Sequence, residues 1–149
     1  MTLAIDPVGR NNERVAVVTL LQKAGLLTND LPTDLSDFLL AWDGDELVGV
    51  AGLERPAAVG LLRSVAVDPA YRNTGIAAQL VERLLAKADA THVQPIYLIT
   101  TTAAGYFSRY AFTPVHRDDV PDAIRQTRQF SDLCPASAVV MKRIAPQPL

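Results

Sequence analysis

Apolar and polar positions follow two different periods along this chain, and each change of period marks an element. Alternation of strand type covers Thr2 to Ile5, Phe38 to Trp42 and Leu47 to Leu53, and Asp43-Gly44 between the last two reads as a hairpin turn. Further strands are expected over Val59 to Val67, Pro95 to Thr101, Phe112 to Val115 and Ala138 to Ile144. Helical spacing covers Arg10 to Ala24, with Val15, Val18 and Leu20 or Leu21 inward and Gly25 ending the helix. It returns from Ile76 to about Ala90 through Leu80, Val81, Leu84 and Leu85. Two short helices complete the set, Ala103 to Tyr110 and one from Pro121 to Gln129. Leu26 to Ser36 reads as a loop, Phe130 to Ala136 as irregular, and Ala145 to Leu149 as a frayed tail. Strand, helix and strand from Val59 to Thr101 predict a parallel crossover, so the class is α/β (α+β).

Composition narrows the picture without changing it. A chain of 149 residues that is 49% apolar supports one core and one domain, 1–149. Its net charge of -2, with 14 basic residues and no dense basic run, gives no electrostatic case for nucleic acid or an anionic membrane. No charged leader with an apolar core opens the chain, and no window nears the roughly 20 apolar residues of a membrane span, so a cytoplasmic protein is expected. The single cysteine, Cys134, excludes an intrachain disulfide and cannot alone make a structural zinc site; no metal is expected. His92 lies near a helix end and His116 in a charged loop with Asp118 and Asp119, which supports a metal site only weakly.

The chemistry concentrates where the strand ending Val65-Ala66-Val67-Asp68-Pro69 turns into the helix at Ile76. Pro69 stops the strand. A helix start offers N–H groups without internal partners and a partial positive charge, so a loop entering it can wrap an anion. Gly75 tolerates unusual dihedrals, Ala77 keeps the first turn uncrowded, and Arg72 supplies a permanent charge with several donors. A pyrophosphate cradle is the expectation. The P-loop needs Gly-Lys-Ser/Thr and the dinucleotide fingerprint needs three glycines, and neither is present.

The pattern Arg72-x-x-Gly75-x-Ala77 after that strand resembles the acetyl-coenzyme A signature of the GNAT superfamily of N-acetyltransferases, over roughly residues 40 to 145. The resemblance implies a mixed, mostly antiparallel sheet flanked by helices, with the cofactor in the splay of a central strand pair. It implies that Val65, Ala66 and Val67 bind the pantetheine arm, that Arg72, Asn73, Thr74, Gly75, Ile76 and Ala77 hold the pyrophosphate, and that Phe107 lies on the cofactor. It further implies an acetyl-coenzyme A-dependent transfer to the primary amine of a small acceptor. Dimers through the final strand are frequent among such proteins. Within the superfamily, Leu62 to Val67 and Phe130 to Ala138 resemble proteins associated with arsenic-resistance operons, and Cys134 falls in the second segment.

Two positions depart from the family. Its pattern Asn-x-x-Ala-x-x-x-Tyr-x-x-x-Gly-Phe falls on Thr100, Ala103, Phe107, Ala111 and Phe112, so the expected proton-donating tyrosine is a phenylalanine. Tyr106 and Tyr110 are the replacements, Tyr106 being the assigned acid; direct protonation by solvent and ordinary aromatic packing remain alternatives. The usual strand glutamate falls on Leu61, leaving Glu54, working through water, as the base, or an exposed carboxylate at a strand end. By alternation Leu61, Arg63, Val65 and Val67 share a face, opposite Leu62, Ser64 and Ala66. Arg63 in that apolar strand is either a clamp for an anionic group of the acceptor or half of a buried ion pair with an acid such as Glu54. Phe107 and Leu61 also motivate a second reading, an inactive coenzyme A-binding sensor or regulatory module.

Overall fold

The computed structural model describes residues 3–9, 13–26, 28–132 and 138–144. They form strands β1 (Leu3–Pro7), β2 (Phe38–Asp43), β3 (Glu46–Glu54), β4 (Gly60–Val67), β5 (Ile96–Thr100), β6 (Thr113–Val115) and β7 (Val139–Arg143). The helices are α1 (Glu13–Lys23), α2 (Ile76–Ala90), α3 (Ala104–Phe107), α4 (Asp122–Arg125) and α5 (Arg128–Asp132). The strands are hydrogen-bonded in the order β1-β2-β3-β4-β5-β7-β6. The pairs β1/β2, β2/β3, β5/β7 and β6/β7 are antiparallel, and β4/β5 is parallel over two rungs, Gly60↔Ile96 and Leu61↔Tyr97. The mixed, mostly antiparallel sheet expected from the sequence is therefore present.

The chain groups into two compact units, Met1–Leu53 with Arg63–Lys87, and Glu54–Leu62 with Ala88–Leu149. In the first, Val17, Leu20 and Leu21 of α1 pack with Leu31, Leu35, Phe38, Leu40, Val50 and Ala66. Val15, expected inward, is 69% exposed, and Val17 takes its place. The run Val15-Ala16-Val17-Val18 is apolar on nearly every side of the helix, so its spacing leaves the phase open and tertiary packing chooses it. Gly25, at φ 78, ends α1 as expected, and Leu26 N–H reaches back to the Leu21 carbonyl at 2.9 Å. The β2–β3 loop is Gly44-Asp45, one residue later than expected, because Asp43 stays in the ladder opposite Glu46. A register shift between Ala41 and Trp42 accompanies it.

In the second unit, Leu61, Tyr97, Val120, Ile124 and Val140 form the buried cluster. The helix expected from Pro121 to Gln129 is two helices, α4 and α5. They meet at Thr127, whose hydroxyl donates to Ile124 O and accepts from Phe130 N–H. Phe130 is accordingly helical, not irregular. The final strand is laddered on both sides, to β5 along its length and to β6 over three rungs, Val115↔Val140 to Thr113↔Lys142. Cys134, in the segment compared with arsenic-resistance proteins, and the tail 145–149 lie outside the described residues.

The close seating of α2 depends on a missing side chain. A Cβ at Gly49 of β3 would lie 2.8 Å from Ile76 Cγ2 and 3.0 Å from Leu80 Cδ1, both on the first turns of α2. Gly49→Ala should therefore lower the unfolding free energy by about 1–3 kcal/mol, the usual range for overpacking, measured by chemical denaturation. Unchanged stability would show that α2 moves outward freely.

Candidate functional site

The turn from β4 into α2 is built from polar contacts on its inner side and exposed residues on its outer side. Asp68, 4% exposed, accepts from Ala70 N–H at 2.9 Å and caps a 3-10 turn over Pro69–Tyr71. The Lys23 ammonium lies 2.8 Å from its other oxygen. The hydrogen bond from Lys23, followed by that from Ala70, holds the Asp68 carboxyl below the usual range. The same hydrogen bond raises Lys23. Tyr71 donates to Asp43 Oδ2 at 2.7 Å and sits 3.4 Å from Glu46 Oε2. Next to Asp43, its phenol is pushed up to about 12.

Beyond Tyr71 the chain opens to solvent. Arg72, Asn73, Thr74 and Gly75 are exposed, Ile76 is buried and Ala77 half-buried. Asn73 (φ 64) and Gly75 (φ 81) are both left-handed, and Thr74 Oγ1 donates to the Tyr71 carbonyl. The first bond of the helix runs from Gln79 N–H to Gly75 O at 3.1 Å, so the amides before Gln79 have no acceptor within α2. Nothing lies within 4 Å of a Cβ built on Gly75, so the space beside it is open. These are the residues the sequence assigned to a pyrophosphate. Arg72 makes no hydrogen bond or ion pair among the described residues.

Arg63 shows which of its alternatives the structure adopts. Its guanidinium lies 3.0 Å from Asp30 Oδ1, with side chains 1% and 0% exposed. It also donates to Asp30 O at 3.0 Å and to Ser64 Oγ at 3.1 Å. The arginine is thus half of a buried ion pair, in which Asp30 supplies a carboxylate. For Arg63 to clamp an acceptor anion, that anion must displace Asp30. Asp30 was not singled out from the sequence, where Thr28-Asn29-Asp30 reads as solvated loop; the only pointer was the acid that a buried arginine requires. The face assignment of β4 also changes. Ser64 is left-handed, at φ 57, which breaks the alternation. Ala66 therefore enters the α1 core, on the side toward which Arg63 reaches Asp30. Val65 and Val67 are half-buried.

In the second unit, Thr100 Oγ1 accepts from Ala103 N–H at 3.0 Å, opening the turn into α3, where the family has an asparagine. Phe107 is 8% exposed and stands edge-on to Phe112 at 6.2 Å. The hydroxyls of Tyr106 and Tyr110 are 3.0 Å apart, and the Arg109 guanidinium lies 4.6 Å from the centre of the Tyr106 ring. Ala111 takes φ 68 where the family pattern has glycine. Leu61 is fully buried, and Glu54 is half-buried at the end of β3. Among the described residues no group of three or more His, Cys, Asp or Glu side chains is placed to hold a metal ion, and no helix is long and apolar enough to cross a membrane. A cavity of 630 Å³ beside Asp6, Glu13, Trp42 and Asp45 contains none of the expected site residues.

Comparison with known proteins decides the family. The family model described as Acetyltransferase (GNAT) family matches residues 13–112. The chain belongs to the GNAT acetyltransferase family. Its curated relatives include the amino-acid acetyltransferase of Escherichia coli K12, 32% identical over 68 residues, which are 46% of this chain and 15% of that protein. The amino-acid acetyltransferase of Pseudomonas syringae pv. syringae is 28% identical over 126 residues, covering 80% of this chain and 28% of that one. The chain thus spans less than a third of the length of either relative. Among solved structures, N-acetylglutamate synthase from Neisseria gonorrhoeae, complexed with coenzyme A and L-arginine, superposes at a TM-score of 0.79, with 18% identity over 97% of this chain and 34% of that one. Rv2747 from Mycobacterium tuberculosis, in complex with CoA and NLQ, gives 0.77 with 21% identity, covering 96% of this chain and 99% of that one. At these identities the structural likeness establishes the GNAT fold.

The Arg63–Asp30 pair gives this GNAT chain a specific vulnerability. Arg63→Met should cost about 3–5 kcal/mol of stability, because it leaves a buried carboxylate unpaired. Adding Asp30→Leu should recover most of that loss in a double-mutant cycle followed by denaturant unfolding. Additive losses would show that the two side chains are not coupled.

Proposed function

We propose that this chain is an acetyl-coenzyme A-dependent N-acetyltransferase whose acceptor is a small molecule with a primary amine and an anionic group, an amino acid being the class that its relatives' names favour. The observation that carries this reading is the open left-handed turn at the start of α2, with exposed Arg72 beside amides that have no acceptor within the helix. The fit is one of chemistry: an anion there meets N–H donors and a fixed positive charge beside a glycine around which the space is open. Arg72 to Ala77 would hold the pyrophosphate, main-chain groups of Val65, Ala66 and Val67 the pantetheine arm, and Phe107 an apolar part of the cofactor. Acetyl-coenzyme A, when bound, supplies an acyl group activated as a thioester. Tyr106 is assigned the proton for the departing sulfur, with Tyr110 bonded to its hydroxyl and able to pass a proton on. Glu54 is assigned the amine proton, through water. The protein is read as a cytoplasmic single-domain enzyme.

The narrower resemblance to arsenic-resistance proteins makes an aminated arsenical one candidate acceptor. A coenzyme A-binding sensor is the competing reading. It is favoured by Leu61 and Phe107, which put buried apolar side chains where the family carries a carboxylate and a phenol. Thiol release from acetyl-coenzyme A over a panel of amino acids, polyamines and aminated arsenicals separates the two. Turnover above background with an amino acid is expected; background release throughout, with coenzyme A still bound tightly, would establish the sensor. Arg72→Ala should raise the KM for acetyl-coenzyme A about tenfold, the loss of a charge-assisted contact, with kcat within about twofold of the parent. An unchanged KM would move the pyrophosphate away from this turn.

A further inference from the structure

We infer that Tyr71 is a positioning residue for the cofactor loop, and that the turn between β2 and β3, remote in sequence, sets the protein's affinity for coenzyme A by gripping the Tyr71 hydroxyl. The inference rests on the reading of Arg72 to Ala77 as the pyrophosphate cradle.

The loop presents a mechanical problem. Its outer residues, Arg72 to Gly75, are exposed, and two of them hold left-handed dihedrals, one of them a non-glycine. A left-handed conformation at Asn73 costs more than at glycine and persists only where neighbouring contacts enforce it. A loop that binds an anion through several amides must also hold them convergent before the anion arrives, or binding has to offset their ordering. The Arg72 side chain makes no hydrogen bond or ion pair among the described residues that could do this. The restraint comes from the residues just before it.

Three links converge on the segment 68–74. Asp68 is tied to Lys23 at 2.8 Å and to Ala70 N–H at 2.9 Å, and its own N–H donates to Val48 O at 2.8 Å. These fix the start of the turn. Thr74 Oγ1 donates to the carbonyl of Tyr71, so the backbone of Tyr71 is the inner hinge of the exposed arc. The side chain of Tyr71 in turn reaches the hairpin, donating to Asp43 Oδ2 at 2.7 Å with Glu46 Oε2 at 3.4 Å.

The hairpin is arranged to receive that hydroxyl. The register shift between Ala41 and Trp42 places Asp43 opposite Glu46 across a two-residue loop. Like charges directly opposite on a hairpin repel. A donor held between them offsets part of that repulsion, and the phenol is such a donor. A phenylalanine would keep the ring and lose both effects. Tyr71 is half-buried, so its ring contributes packing as well, which is why phenylalanine is the informative replacement.

The test compares the parent protein with Tyr71→Phe, with Asp43→Ala, and with the double variant carrying both changes. Three quantities are read: the dissociation constant for coenzyme A by calorimetry, KM and kcat for acetyl-coenzyme A on the best acceptor, and the thermal midpoint. Tyr71→Phe is expected to weaken coenzyme A about tenfold, the ordinary loss for a hydrogen bond to a carboxylate, with kcat and the acceptor KM within about twofold. Asp43→Ala should weaken coenzyme A while the Tyr71 hydroxyl is present and add little once Tyr71→Phe has removed it. Unchanged coenzyme A affinity in Tyr71→Phe overturns the inference alone. So does a loss that falls equally on coenzyme A, acceptor and kcat in step with the thermal midpoint, since that marks general loosening. Failure of the parent itself to bind coenzyme A overturns the cradle reading, and this inference with it.

Discussion

An arginine guanidinium taken out of water must meet a carboxylate and further acceptors or leave the interior, and the first unit is organised around meeting that demand at Arg63. The strand supplies the charge and the loop after α1 supplies the answer, with both the carboxylate and the carbonyl of Asp30 turned onto the guanidinium. Holding Asp30 there also commits its neighbours: Leu31 and, further on, Leu35 join α1 and β2 in the core. The third contact, to Ser64 Oγ, coincides with the left-handed residue that reverses the pleat. A single charged residue thus bears on the loop, the phase of the strand and the packing of Ala66.

That reversal aims the next part of the chain. After Ser64 the strand delivers Asp68 to Lys23 and Tyr71 to the β2–β3 hairpin, and the first turns of α2 settle on Gly49. Each is a contact within the first unit, and each is polar or sterically close rather than broadly apolar. The outer surface of the turn is left without comparable commitments. On the proposed reading, a rigid inner side and an uncommitted outer side are what an anion site needs if its donors are to be held in place by bonds elsewhere.

Element order, the parallel β4/β5 pair, the end of α1 at Gly25 and the extent of α2 were all legible, because each depends on local periodicity or on one residue with a strong backbone preference. The turn at Gly75 was legible for the same reason. What escaped were features decided by partners distant in sequence. The inward face of α1 could not be read from Val15-Ala16-Val17-Val18, since every phase buries valine. Asp30 looked like one polar loop residue among several. The Ser64 pleat reversal carries no mark at all, since a serine within a run of strand formers reads as ordinary extended chain. Tyr71 was hidden by its neighbour: Arg72 drew the chemical interpretation, while the residue before it holds the loop through carboxylates that precede it by 28 and 25 positions.

The two family positions filled by apolar residues are not equal in consequence. On the proposed reaction the leaving group is a thiolate, whose conjugate acid titrates near 8.5 in an ordinary thiol, so it departs from the tetrahedral adduct with little protonation at neutral pH. A general acid there is worth least among the usual settings for one, so on the proposed reaction Phe107 removes only a modest advantage, whether or not Tyr106 takes over the role. The nucleophile is a different matter. A primary amine with a pKa near that of a lysine is almost wholly protonated at neutral pH, and each unit of that gap costs tenfold in reactive species. Leu61 therefore weighs more than Phe107, since it leaves that burden to Glu54 or to an acceptor whose amine is already weakly basic. The α-amino group of a free amino acid lies beside its own ionised carboxylate, which favours the ammonium form, so it lightens that burden only modestly relative to a side-chain amine. On the proposed reaction, the leucine at position 61 therefore leaves activation of the amine to water held by Glu54, whichever primary amine is the acceptor.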